Sequence, residues 1–575
     1  MENPPQPDHQ FSMFLIPRRR FCSSSYKNAT SIADLNKRIE SFPGLIQQKE
    51  DVIDIMTQCF LFGSTMTMRQ QISSQGITKL NKSIKPFIVA LKNTEVPRVL
   101  QFYSRFHSPY SLSLIKSIIE HLDKKLSSYS PQNCSSIFWA LGQIRSPVKP
   151  VLIREFEAHV EANCAAYQFS DISRFYWTYA RLHKMPSSKV RHILEAQIMH
   201  TGNVVVAHEL ADILWSIGKL NLRPSKPFTA FLEKQVLLKI DDFKIHEVGI
   251  ALCSFAKLNH CPSQECFDAL VACTLNDADP INALEIANIS WACARFPLAP
   301  NVVFLKFLED QMISNINEFT PQNIANTLTS FAKLGHSPSQ SFLPQVESRI
   351  MELGRYMDPQ AVSNIAWAHA SLKHQPSREY LNFLQHQMLL KIHGFNAQNI
   401  SNSLWAFSKM EYTPSMDLIR EVELKLLKLD NAINAQELSN ILWACAKSNN
   451  TPSEQFLSTL ESWILDRMGS CKPQNLSNSI WAFAKLRYAP SQKFLTAFEL
   501  KVSEVQHSMK PLEISNILWS YGTLKLCFSG PFLQELIFIA DPLMVSSSYM
   551  EKDTFAASLV LLDDMMTRAN LLAPT

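Results

Sequence analysis

The chain has 575 residues, with 55 Lys and Arg against 51 Asp and Glu, for a formal net charge of +4. So small an excess excludes holding a polyanion by total charge; such a partner would have to meet a locally charged face. Glycine is scarce, at 13 residues against 31 prolines, which argues against sheets built on tight glycine turns and suits helices punctuated by proline.

At the start of the chain, the run Met13-Phe14-Leu15-Ile16-Pro17-Arg18-Arg19-Arg20-Phe21-Cys22-Ser23-Ser24-Ser25 has no acid after it until Asp34. Arginine- and serine-rich, acid-poor leaders are imported into mitochondria or plastids. Residues 1–33 are therefore expected to be an organelle-targeting leader, with the mitochondrial matrix as first location and the plastid as second. The apolar stretch before the arginines is too short for a secretory signal. Irregular helices are expected over 34–92. No apolar run reaches the ~20 residues of a membrane span, and no membrane partner is expected.

From there the chain is periodic. Trp139, Trp177, Trp215, Trp291, Trp367, Trp405, Trp443, Trp481 and Trp519 sit on one lattice of 38 residues, with Cys253 and Thr329 at the two remaining points. A comb of this regularity requires an array of structural units of equal length. In the unit from Thr320 to Met357, Thr320-Pro321 reads as an N-cap and first helical residue. Gln322 to Leu334 continues as a helix, Gly335-His336-Ser337-Pro338 ends it, and Ser339 caps a second helix carrying Phe342, Leu343, Val346 and Ile350. A proline recurs nine residues past each lattice point from Pro186 to Pro490, followed by serine or, once, Asn301. Each unit is a helical hairpin, so the expected fold is all-α, an α-solenoid of about 11–12 stacked hairpins over 93–528. A degenerate hairpin is expected near Gln101, and a C-terminal helical cap over 529–575.

At 100° per residue the first helix of each hairpin has two sides. Positions five and one before the lattice point and two after it are apolar, as in Ile400, Leu404 and Phe407 or Leu476, Ile480 and Phe483, and form the core face. Positions seven and three before and four after form a polar stripe beside the tryptophan: Gln322, Asn326, Lys333; Gln398, Asn402, Lys409; Gln436, Asn440, Lys447; Gln474, Asn478, Lys485.

Three rows of side chains follow from the stripe. Four after the lattice point stand Arg181, Lys219, Lys257, Arg295, Lys333, Lys409, Lys447 and Lys485. With stacked helices ~10 Å apart they make a row of positive charge matched to phosphates, or else cations favoured by their own helix C-termini. Three before stand Asn288, Asn326, Asn364, Asn402, Asn440, Asn478 and Asn516. Mid-helix asparagine has poor helix propensity, so each amide is expected to bond either the neighbouring repeat or a ligand's backbone, base or sugar. Six before, the residue varies, with Glu285, Asn323, Asn399, Glu437, Asn475 and Glu513 among the set. Such side chains read base edges in single-stranded RNA repeat proteins, and they equally serve as N3 capping residues of their own helices. The tryptophans are expected to pack between repeats.

No glycine phosphate loop, His-Glu-x-x-His, Gly-x-Ser-x-Gly or zinc-spaced Cys/His set occurs in the sequence. The spacings of Cys253, Cys261, Cys266 and Cys273 fit no zinc module, and Cys253, Cys293 and Cys445 fall at packing positions. The expectation is a binding protein and not an enzyme, with no cofactor, no metal and no small-molecule substrate.

The segment Pro473-Gln474-Asn475-Leu476-Ser477-Asn478-Ser479-Ile480-Trp481-Ala482-Phe483-Ala484-Lys485-Leu486 resembles the octotricopeptide repeat, a 38-residue helical hairpin of organellar RNA-binding proteins. It is similar also to heptatricopeptide and FAST-kinase-like repeats. The resemblance covers roughly residues 93 to 528 and implies sequence-selective binding of single-stranded mitochondrial or plastid RNA in transcript stabilisation, processing, translation or ribosomal RNA assembly, with RNA-processing or ribosomal proteins as further partners. Two departures stand out: Pro-Ser, as at Pro414-Ser415, replaces the family's tryptophan-containing stretch between helices, and residues 529–575 are too short for the RAP module of many relatives. At one nucleotide per repeat the array would cover roughly ten to twelve nucleotides. Two alternatives remain open: an armadillo-like peptide-binding scaffold, in which tryptophan precedes asparagine instead of following it as Trp405 follows Asn402, and a structural rRNA-binding component of an organellar ribosome.

Overall fold

The computed structural model describes residues 39–40, 46, 48–62, 73–106, 111–122, 126–145, 148–201, 205–276, 280–429, 432–448, 450–526, 532, 535–540, 555–557 and 559–560. The leader expected over 1–33 lies outside these residues, as does most of the cap expected over 529–575. Among the described residues every regular element is a helix, and successive helices pack as hairpins. The fold is an all-α solenoid.

The chain forms two compact units, residues 1–277 and 278–575. In the first, the hairpins' first helices are Val96–Arg105, Pro131–Ile144, Phe169–Arg181, Ala207–Lys219 and Ile245–Lys257. Their second helices are Leu112–Leu122, Pro150–Asn163, Ser188–Thr201, Lys226–Leu238 and Gln264–Asn276. Ahead of them Lys49–Phe62 packs on both Ser74–Ile84 and Val96–Arg105, so part of the segment expected to be irregular continues the stacking. In the second unit the first helices are Ala283–Cys293, Pro321–Lys333, Pro359–Ser371, Ala397–Lys409, Ala435–Lys447, Pro473–Lys485 and Pro511–Leu524. The second helices are Val302–Ser314, Phe342–Glu352, Arg378–Lys391, Met416–Leu429, Glu454–Asp466 and Gln492–Val505.

Local chemistry sets each boundary. Thr320 accepts from the amide of Asn323 with Pro321 at the first helical position, as its sequence signature requires. At the other end, nine first helices close on a left-handed residue six past the lattice point: Arg145, His183, Asn221, Asn259, Gly335, Lys373, Glu411, Arg487 and Lys525, with φ of 49–67°. The amide of the residue after it returns to the carbonyl two past the lattice point, as from Tyr488 to Phe483 at 2.9 Å. Second helices start on the serine after the proline, as where Ser377, Ser453 and Ser491 accept from Tyr380, Phe456 and Phe494. The Ser339 repeat is a correction to this pattern. There the helix starts at Phe342 with Ser341 at the N-cap, and Ser339 turns its amide and hydroxyl to Glu309 instead.

The core face is as its periodicity requires: Ile400, Leu404, Phe407, Leu476, Ile480 and Phe483 are all buried. From Pro131–Ile144 onward both flanks of the first helices carry small residues, which lets neighbouring first helices approach along their length. A Cβ on Gly218 would lie 3.2 Å from the Cα of Ser254 in the next repeat. Ser408 donates to the carbonyl of Ala444 across the equivalent seam at 2.9 Å. Second helices meet their successors at fewer points, where a carboxylate or amide accepts from the serine amide that opens the next second helix. Glu157 takes Ser187, Glu233 takes Ser263, Glu309 takes Ser339, Gln385 takes Ser415, Glu423 takes Ser453 and Glu461 takes Ser491, all within 2.7–3.1 Å.

Candidate nucleic-acid interface

The tryptophans form ladders on the first helices. Trp443 and Trp481 have ring centroids 6.4 Å apart at 32°, and Trp481 and Trp519 repeat this at 6.4 Å and 34°. In the first unit Trp139 and Trp177 lie 6.2 Å apart at 38°. Packed helix axes lie roughly 8–10 Å apart. In these three pairs the rings therefore come closer than packed helix axes do and meet in the seam between first helices. The second unit's lattice tryptophans are half-buried, held between repeats with one part open.

The basic row stands on this ladder. The guanidinium of Arg181 lies 5.8 Å from the Trp177 ring, that of Arg295 5.1 Å from Trp291, and the ammonium of Lys219 4.7 Å from Trp215. Lys409 lies 5.8 Å from Trp405 and 5.3 Å from Trp443 of the following repeat. Lys257, Arg295, Lys333, Lys409, Lys447 and Lys485 are exposed, and none forms an ion pair with a carboxylate among the described residues. The row is interrupted at Gln143, Ser371 and Thr523.

The asparagines run beside it, all half-exposed. Asn516 donates to Ser477 at 3.3 Å, and Asn288, at the other end of the row, also has an interaction within the protein. The side chains of the five between them, Asn326, Asn364, Asn402, Asn440 and Asn478, make no hydrogen bond with any group among the described residues. Gln322, Gln360, Gln398, Gln436 and Gln474 continue the same five first helices one turn further and are exposed.

The variable positions lie elsewhere. Glu285, Glu437 and Glu513 accept from the N-cap amides of Asn282, Asn434 and Lys510, and Asn399 and Asn475 accept from those of Asn396 and Lys472. Asn323 accepts from the Thr320 hydroxyl. Asn475 also donates to Ser439 of the preceding repeat at 3.1 Å. These six are N3 capping groups at the seam between first helices, so the capping alternative describes their geometry.

The first unit's face is different in kind. Its positions three before the lattice point are Ser136, Arg174, Asp212 and Ile250. Arg174 is tied to Ser135, Ser136 and Asp171. Burial, then the nearby Glu209 and Glu247, push the Asp212 carboxyl up to about 8, and burial raises Glu209 to about 7. Cys293 and Cys445 are buried and Cys253 is half-buried, and burial pushes Cys253 and Cys445 up to about 12, so they fill space as neutral thiols.

Two family models match parts of the array. Residues 226–379 match that of the RNA-editing substrate-binding complex 6 protein, and residues 444–530 match that of the Tbc2 translation factor, N-terminal domain. No curated protein matches the chain. Among solved structures, the chain is similar to one in a homology model of the full-length AP-3 complex in an intermediate open conformation, at 10% identity and TM-score 0.30 over 94% of each chain. It is similar also to a pentatricopeptide repeat protein from maize, at 11% identity and TM-score 0.34 over 94% of this chain and 81% of the other.

Proposed function

We propose that the tryptophan-bearing face of the second unit binds single-stranded RNA, and that the protein acts by binding, without catalysis, in the stabilisation, processing or translation of organellar transcripts. One observation carries this reading: five successive repeats present an amide with no partner among the described residues, four of them beside a half-open indole and four with a lysine that meets no carboxylate, the repeats of Trp405, Trp443 and Trp481 having both. Lysines at regular intervals meet phosphates, indoles accept a base face of any identity, and amides offer both donor and acceptor. The two matched families support the reading through their descriptions, an RNA-editing substrate-binding complex and a translation factor, and their matched segments include Asn326, Asn364 and Asn478 of this face. Membership of the octotricopeptide-like group belongs to the same proposal, and the arginine- and serine-rich leader supports the mitochondrial matrix as the location. The amide row spans five repeats, so the contacted segment is shorter than the ten to twelve nucleotides expected of the whole array.

The test is charge reversal of Lys409, Lys447 and Lys485 together, with affinity for a single-stranded RNA measured across a salt series. Three lost phosphate contacts flatten the log–log salt slope by about 2, and affinity at low salt falls at least tenfold. Unchanged affinity and slope would remove the phosphate contacts and the reading with them. Crosslinking in purified organelles then separates messenger from ribosomal RNA targets.

A further inference from the structure

We infer that the five amides contact the ribose, so that the site selects RNA over DNA while remaining indifferent to base sequence. The inference rests on the proposed RNA-binding role of this face and assigns what that face recognises.

The argument starts from uniformity. Asn326, Asn364, Asn402, Asn440 and Asn478 are the same residue at the same helical position in five successive repeats, all half-exposed and all without a partner among the described residues. The glutamines one turn before them are equally invariant. A row of identical groups at a constant pitch can match only a feature of the ligand that also repeats identically. In a polynucleotide that leaves the phosphate, the sugar, or a run of one base.

Chemistry separates these. A phosphate accepts hydrogen bonds and donates none, so it satisfies the amide nitrogen and leaves the amide oxygen unpaired; the ammonium row beside the asparagines is the better phosphate partner. A ribose 2′-hydroxyl both donates and accepts, as does the amide, and it is the group that distinguishes RNA from DNA. Discrimination among bases needs side chains that differ from repeat to repeat. The positions that do differ, six before the lattice point, have their polar atoms engaged at the helix N-termini: Glu437 on Asn434, Asn475 on Lys472 and Ser439, Glu513 on Lys510. The half-open indoles add base contacts that tolerate any sequence. Lysine to phosphate, asparagine to ribose and indole to base face thus give each of these three rows a partner.

Binding of the full chain to fluorescently labelled strands of equal length tests this: RNA of several base compositions, the matching DNA, and the matching 2′-O-methyl RNA, whose oxygen accepts but no longer donates. The expected result is a preference for RNA over DNA of roughly tenfold or more, since each hydrogen bond contributes modestly and several act together. Affinities vary little among RNA sequences, and 2′-O-methyl RNA falls toward DNA. The quadruple variant Asn326→Ala, Asn402→Ala, Asn440→Ala, Asn478→Ala brings RNA down to the DNA level while DNA affinity and salt slope stay as in the parent. Alanine raises helix propensity at these half-exposed positions, so the variant folds, as circular dichroism will check. Equal RNA and DNA affinities with a lysine-dependent salt slope overturn the ribose contact and leave the phosphate surface standing, as does binding confined to one base sequence. Failure of the parent chain to bind any strand overturns both readings.

Discussion

Lys409 reaches across a repeat boundary: its ammonium lies 5.3 Å from the ring of Trp443, the next tryptophan on the lattice, and 5.8 Å from that of its own Trp405. The same ring of Trp443 stands 6.4 Å from Trp481. One indole therefore holds the seam to the next hairpin and the position of a cation from the previous one. Trp443→Ala should remove both, lowering stability by about 2–3 kcal/mol for a half-buried ring and weakening RNA binding along with it. Trp443→Phe should recover most of the stability. Urea denaturation of the two variants checks this, and an unchanged midpoint in the alanine variant would mean that the ladder does not hold the repeats together.

First helices approach closely along their length, and at Gly218 what they meet is backbone. A Cβ there would press on the backbone of Ser254 at 3.2 Å. Gly218→Val adds two further methyl groups against a helix that has no room for them, and is expected to destabilise by about 1–3 kcal/mol. A thermal midpoint equal to or above that of the parent would contradict the seam as described.

The left-handed caps offer a gain instead of a loss. Arg487 sits at φ 59°, a conformation that L side chains adopt at a penalty of roughly 1–2 kcal/mol, partly offset by the extra unfolded-state freedom of glycine. Arg487→Gly is expected to stabilise the protein by about 0.5–1 kcal/mol, whereas Gly335→Val, at φ 67°, should destabilise it. A stability loss on Arg487→Gly, measured by denaturant unfolding, would refute the cap assignment.

The hairpins were legible because the 38-residue lattice fixes helix length, cap and core face together: Ile400, Leu404 and Phe407 are buried as their spacing demands. Relations between repeats were harder to read. The left-handed position is glycine only at Gly335 and asparagine only at Asn221 and Asn259, so the six other occupants gave no local sign of it. Glu233, Glu309, Glu423 and Glu461 recur on the lattice, but each partner serine lies 30 residues on, in the next hairpin, and only the packed pair explains the recurrence. The asparagines differ along the row: Asn516 bonds Ser477 of the preceding repeat, while the five from Asn326 to Asn478 bond nothing among the described residues. Whether a given amide meets its neighbour depends on side-chain placement across the seam, which no single repeat encodes.

Glu309 gives the seam of the second helices a pH dependence. Burial alone would raise its carboxyl, but hydrogen bonds from Lys306, Ser339 and His336 outweigh that and hold it down at about 2. Its contacts are close: Lys306 at 2.8 Å, His336 at 2.8 Å and the Ser339 amide at 3.1 Å, with the carboxylate itself 1% exposed. A carboxyl depressed in the fold below its unfolded value of about 4.3 contributes stability that is fully present above that value and is lost as the pH falls toward 2. Glu309→Gln should therefore be less stable than the parent by roughly 2–3 kcal/mol at pH 7, and the gap should close between about pH 4.5 and pH 2. Denaturant unfolding of both proteins along a pH series reads the gap directly. If it is as wide at pH 2.5 as at pH 7, the carboxylate's charge is not what joins these two hairpins, and the glutamine is acting through packing alone.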